Sequence, residues 1–563
     1  MNVLPEALEV LTSRLDALEK RVHDLEHSAE ACAPPEMQLA TVASDVAGES
    51  AFEQANGVIP VLGGAMLGIA GAYVLRAFAE SSFVPRQAIA AVAIAYAAAW
   101  LVWAARTGGT ASFARAIYAG TSTLILAPML WELTLRFNVL SPALAAGVLS
   151  GFVIAATALA WKRDLTPVFW LAYGAAALTA VALSIATHAF LPFLFSLLLM
   201  VLLSEFAALR GHGQSIRLLV AAVADVAVWA LIFIYSGPLN ARADYPALGA
   251  VALLAPACGL FLLNAASVAW KTALLRQKIT VFETVQCIIA FLLAVSSVLF
   301  FQPGSGTLVL GATCILLSAA SYWVTFANFR HAAEQRNFKV FAAWSAGLLL
   351  AGLLWALPPA SAAVCLGSAA LTAIFLASRY ETAALEFHGV IYLAAAAVAS
   401  GLLEYAFHAL AGPPAAKPSW SIFLVFVFAF FCYATGDEQP GEDWQKQFLH
   451  LIPALLASCA VAALLAQGLL RLAAFFLTPD VFHVAFTRTL AICFVALALA
   501  FGGARWRRLQ MTRIAYAALA FEAAKLVFED LRHGRMEFIA ASFFLFAMTL
   551  IAVPRLARIG SKQ

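Results

Sequence analysis

From about residue 58 onward the chain is a succession of apolar runs of roughly 20 residues, each ended by a short polar turn. No other feature limits its fold as strongly. In hydrocarbon a backbone must satisfy its own N–H and C=O groups, and a helix does so within one segment. The runs therefore predict an all-α, polytopic integral membrane protein of about 18 transmembrane helices, arranged as successive hairpins. Among them are runs at 387–409, 420–435 and 513–531, of which 420–435 is short. Composition excludes a soluble alternative. Apolar residues make up 63% of the chain and charged residues 12%, where soluble domains average about 45–50% and about 25%.

Ahead of the spans lies "LPEALEVLTSRLDALEKRVHDLE", with Leu4, Leu8, Leu11, Leu15, Leu18, Val22 and Leu25 at alternating steps of four and three. That is a heptad seam flanked by mixed charges. A lone helix of this length is marginal in water, which points to self-association or a protein partner through residues 4–25. The other reading is an amphipathic helix on the membrane surface, against which the mixed signs of charge weigh. The chain divides into a coiled-coil helix over 1–30, a flexible linker over 31–56 that contains Pro34 and Pro35, and a transmembrane domain over 57–563. The opening is not that of a cleavable signal peptide. The net charge of +3 gives no reason to expect nucleic acid. The eight cysteines form no CxxC pair and read as small buried hydrophobes, with no disulfide and no metal expected.

Charge sets the orientation. With the N-terminus inside, the inner turns and C-terminus hold about 21 Lys and Arg against about 8 for the outer turns and helix ends. Both termini are therefore expected in the cytoplasm, in the plasma (inner) membrane of a bacterium. The outer turns, such as "HAFLP" and "FQPGSG", leave no room for a catalytic domain, so any chemistry falls to helix walls and ends. In "GGAMLGIAG", Gly64, Gly68 and Gly71 mark a face where a neighbour packs closely.

Charges inside the spans are the candidate site. "FEAAKLVFEDLRHG" puts Glu522, Lys525 and Glu529 on one helical stripe, with Asp530 beside them. A lone charge at mid-membrane costs about 2.5–3.5 kcal/mol on insertion scales, so the stripe should pair and face the bundle interior. Arg76 with Glu80, Glu132 with Arg136, and Glu404 with His408 end their helices on the outer side, and Arg488 lies two turns into its span. Two readings stand: structural ion pairs with snorkelling side chains, or a polar cavity open to the outer face. Asp225 sits mid-span, and reads either as proton or cation coupling or as a partner of a polar neighbour such as Asn264. Glu205 and Glu283, near inner helix ends, read as structural.

Two stretches carry a resemblance: "VLGGAMLGIAGAYVLRAFAESSFVPRQA", with Arg76 and Arg86, and "RRLQMTRIAYAALAFEAAKLVFEDL" followed by "ASFFLFAMTL", with Lys525, Asp530, Leu531, Ser542 and Phe543. With the coil, these resemble a bacterial family of very hydrophobic, many-spanning "predicted membrane proteins" that carry a domain of unknown function. The resemblance implies an architecture of coil, tether and large helical bundle. It implies no reaction, cofactor or catalytic residue.

Three functions remain open. One is transport or handling of an envelope lipid, glycan-type or other small substrate. Another is a non-catalytic scaffold that recruits partners through the coil. The third is a membrane-embedded transferase or hydrolase with Glu522, Glu529 or Glu404 as base; no HExxH, GxSxG or paired DD supports it.

Overall fold

The protein's structure, a computed structural model, describes Lys20 and residues 60–80, 85–107, 112–163, 166–211, 215–238, 243–328, 335–380, 382–412, 417–435, 444–476, 480–533 and 535–561. Apart from Lys20, the coil and the linker lie outside the described residues. Within the described residues all regular structure is helical. Among the described residues, fifteen helices are long and apolar enough to cross a membrane, or sixteen if one bent pair counts as a single span. The chain is thus a multi-pass helical membrane protein.

It forms two compact units. The first comprises residues 1–187 with 211–216, and the second residues 188–210 with 217–563. Helices of the first unit are α1 (Pro60–Glu80), α2 (Arg86–Arg106), α3 (Ser112–Trp131), α4 (Pro142–Arg163) and α5 (Thr166–Thr187). The second unit begins with α6 (Phe190–Leu209), α7 (Ile216–Ser236), α8 (Ala250–Ala269) and α9 (Val281–Phe301). It continues with α10 (Ser305–Asn328), α11 (Gln335–Ala356), α12 (Pro359–Tyr380), α13 (Ala383–Ala399), α14 (Leu402–Leu410) and α15 (Trp420–Thr435). It closes with α16 (Trp444–Ala474), α17 (Val481–Trp506), α18 (Leu509–Lys525) and α19 (Met536–Ser561).

Both units pack inside out. Large apolar side chains such as Leu178, Trp323 and Phe528 are exposed, while the helix contacts are lined by buried alanines such as Ala363, Ala370, Ala396 and Ala460. That is what a bilayer solvent selects, because lipid is as apolar as leucine and close backbone approach supplies the attraction. The "GGAMLGIAG" face does this for aromatic neighbours. A Cβ on Gly68 would stand 2.5 Å from the Trp100 ring, and the Tyr96 hydroxyl donates to the Gly68 carbonyl at 3.1 Å.

The expected span 387–409 is two helices. α13 and α14 meet at 62° across Gly401, whose φ of 76° is left-handed. The Leu402 N–H donates to the Ser400 hydroxyl there at 3.3 Å. The expected span 513–531 is α18 plus a π-helical turn over Leu526–Asp530. Two further π turns extend α3 (Glu132–Arg136) and α8 (Trp270–Leu274).

Candidate functional site

Each described π turn carries charge into a network. A π turn closes i→i+5 hydrogen bonds in place of i→i+4, so it brings residues five apart onto one face. At the end of α18 the Leu531 N–H bonds the Leu526 carbonyl, and Asp530 turns back toward Lys525. The ammonium then has three donors in use: Asp530 Oδ1 at 2.7 Å, Thr489 Oγ1 at 2.9 Å and the Ala485 carbonyl at 2.9 Å. Thr489 in turn donates to Asp530 Oδ2 at 3.2 Å. Glu522 and Glu529, the partners expected from helical spacing, each lie 3.9 Å from Lys525 Nζ. Glu522 is fully buried, and among the described residues neither of its oxygens has a hydrogen-bond partner.

Arg488 on α17 completes this cluster. Its Nη1 pairs with Glu529. Its Nε donates to the Ala409 carbonyl at 3.0 Å, and its Nη2 to His408 O at 2.9 Å and to Gly412 O. The carbonyls of His408 and Ala409 are ones that the end of α14 leaves without intrahelical donors, that of Gly412 lies just past it, and a cation there also suits the helix dipole. Arg488 therefore pins the second half of the broken helix to α17 and α18. Between them opens a cleft of ≈ 480 Å³ lined by Arg488, Lys525 and Glu529 together with the apolar side chains of Val481, Val484 and Phe528. Phe521 lines both this cleft and an apolar groove of ≈ 230 Å³ whose other lining residues include Leu410, Ile492 and Ala518. Glu404 is mostly exposed and pairs weakly with His408 at 3.9 Å.

The other expected residues lie elsewhere. In the first unit, Arg76 bridges Glu132 at 3.0 Å and Glu80 at 3.6 Å, and Arg136 reaches Glu80 at 3.0 Å. This network is half-exposed at helix ends, and Arg86 and Arg136 flank the Phe137 ring. Asp225, in the second unit, accepts from Gln286 Nε2 at 2.9 and 3.1 Å. The neighbour expected for it, Asn264, instead donates to the Leu260 carbonyl of its own helix.

Two arrangements were not expected. One is a closed network on α6–α9. Arg217 grips Glu205 with two bonds of 2.7 and 2.8 Å and reaches Glu283 at 3.3 Å. Lys271 joins the same carboxylates at 3.2 and 2.7 Å. Two acids match two bases, all buried. The signal was present, since opposite charges stand in equal number at adjacent helix ends, but Arg217 and Lys271 count as loop charges in an orientation argument. The other is a polar chain in which the Tyr322 hydroxyl meets Tyr392 at 2.8 Å and His388 Nδ1 at 3.0 Å. Both tyrosines line a cavity of ≈ 600 Å³. Tyrosines in apolar runs give no such signal.

Comparison with family models, with curated proteins and with solved structures finds no match to this chain.

Proposed function

We propose that the protein transports or handles an amphiphilic envelope substrate, of lipid-linked or glycan-carrier type, at the Arg488–Lys525–Glu529 cleft. One observation carries the reading: a broken helix ends at a cleft that charged and apolar side chains line together. Broken helices inside a bundle are where transporters place their substrate sites, because the freed backbone groups face a cavity. The cleft offers charged side chains for a headgroup, and the groove that shares Phe521 offers room for hydrocarbon. Arg488 itself spends four of its hydrogen bonds on protein acceptors, so it shapes the wall more than it grips a ligand. Around this site the reading places about 18 helices and both termini in the cytoplasm of a bacterial inner membrane. A cytoplasmic coil over residues 4–25 mediates self-association.

The competing reading is a scaffold, favoured by that coil and by the absence of a catalytic motif in the sequence. The test uses proteoliposomes with fluorescent phosphatidylethanolamine and a short polyprenyl phosphate as probes. Movement or retention of a probe, per folded molecule, should fall at least tenfold in Glu529→Gln and in Phe521→Trp, with the unfolding temperature of Phe521→Trp unchanged. Deleting residues 1–30 should leave it intact. Equal behaviour of wild type and both variants would remove the cleft from the account and leave the scaffold.

A further inference from the structure

The cleft cluster holds two cations, Arg488 and Lys525, against three carboxylates, Glu522, Glu529 and Asp530. The donors are fully assigned. Glu529 has Arg488, and Asp530 has Lys525 and Thr489. The three ammonium protons of Lys525 go to Asp530, Thr489 and the Ala485 carbonyl. Glu522 is wholly buried with neither oxygen in hydrogen-bond geometry among the described residues; the Thr489 hydroxyl stands beside it but gives its one proton to Asp530. A carboxylate in that position would have the shared ammonium at 3.9 Å but no hydrogen bond, and a buried charge that is not both paired and hydrogen-bonded neutralises instead.

We propose that Glu522 is a proton-binding site. The structure corresponds to its neutral, protonated form. Loss of that proton leaves a carboxylate 3.9 Å from Lys525 Nζ, close enough for the ammonium to swing from Asp530 to Glu522. The proton leaves to water, and the ammonium keeps all three of its own. Because Lys525 and Glu529 line the cleft, this exchange changes the wall that a ligand meets. That coupling rests on the function proposed above; the proton site does not.

The groups around Glu522 are few. On its own helix and π turn they are Lys525, Glu529 and Asp530, and on α17 they are Arg488, Thr489 and the thiol of Cys493. α19, which packs on α18, carries the buried hydroxyls of Ser542 and Thr549, the latter beside Cys493. On α16, which also packs on α18, His450 faces Glu386 and Arg471 faces Tyr405.

The experiment is infrared difference spectroscopy of the full chain in lipid nanodiscs, with the proton as the only ligand. A carboxylic-acid C=O band should be present in wild type and disappear as pH is raised. It should be missing in Glu522→Gln, which mimics the neutral form and should keep the wild-type unfolding temperature. Glu522→Asp serves if that variant fails to fold, and should shift the band without abolishing it. Persistence of the band in Glu522→Gln, or its removal by Asp530→Asn instead, overturns the assignment. So does the absence of any titrating band, or its removal by sodium at fixed pH, which would mark a metal-cation site. None of these outcomes depends on whether the cleft carries a substrate.

Discussion

Lys525 is the residue on which the C-terminal charge cluster depends, because its ammonium lies within 3.9 Å of Asp530, Glu522 and Glu529 alike. Removing one partner from a buried ionic network typically costs about 3–5 kcal/mol, since it leaves uncompensated charge. Lys525→Leu should lower the thermal unfolding midpoint in lipid by that much, whereas Lys525→Arg should lower it less. Arg217→Leu should be comparably destabilising, because Glu205 and Glu283 would be left with Lys271 alone. The folded fraction of Arg217→Leu should still behave normally at the cleft. That difference separates a network that only holds helices from one that also lines a site. The sequence made part of the cluster legible. A 3.6-residue period puts Glu522, Lys525 and Glu529 on one stripe, and a membrane forces such a stripe to pair. It could not show Asp530 as the closest partner, since that contact needs a π turn. Nor could it show the carbonyls that hold Arg488, because side-chain patterns carry no record of where a distant helix ends.

Among the elements, the break between α13 and α14 matters most. The carbonyls of His408 and Ala409 are free because the helix ends there, broken or not. The break at Gly401 turns α14 by 62° and so sets the direction in which that free end meets Arg488. The φ of 76° at Gly401 is costly for any residue with a Cβ, by roughly 1–2 kcal/mol, and more for a β-branched one. Gly401→Val should therefore destabilise by at least roughly 2 kcal/mol, read from the unfolding midpoint, and Gly401→Asn by less. Hydropathy cannot see the break, because "VASGLLE" is apolar on both sides and a single glycine inside a span is common. The three π turns escape notice for a related reason: they conserve composition and change only register. Apolar runs did mark where helices form, including the short α15 of 16 residues. For α15 and α18 they did not decide whether the helix crosses.

At the scale of the whole molecule, the inside-out packing follows from composition. With 63% apolar residues there is far more large apolar side chain than helix contacts can bury, and the surplus faces lipid. Orientation is a separate matter, set by where Lys and Arg fall. Reporter fusions at residue 563 and in the turn near 275 should report cytoplasm, and fusions near 304 and 358 the outer side; an inverted pattern would contradict the charge argument. The division into two units was not legible, since an uninterrupted series of hairpins looks the same whether it folds as one body or two. The Arg76–Glu132 network belongs to the first unit and the Arg488–Glu529 cluster to the second, although their sequence signatures are alike. The claim at the centre of this reading is that the cleft beside the broken helix is built to hold a ligand. A high-resolution density map of the full chain in native lipid addresses it at Phe521. Ordered non-protein density with a polar end near Glu529 and an elongated tail past Phe521 is the expected result. A cleft sealed by packed side chains, with no density on either side of Phe521, would contradict it and make Arg488 and Lys525 ties between helices.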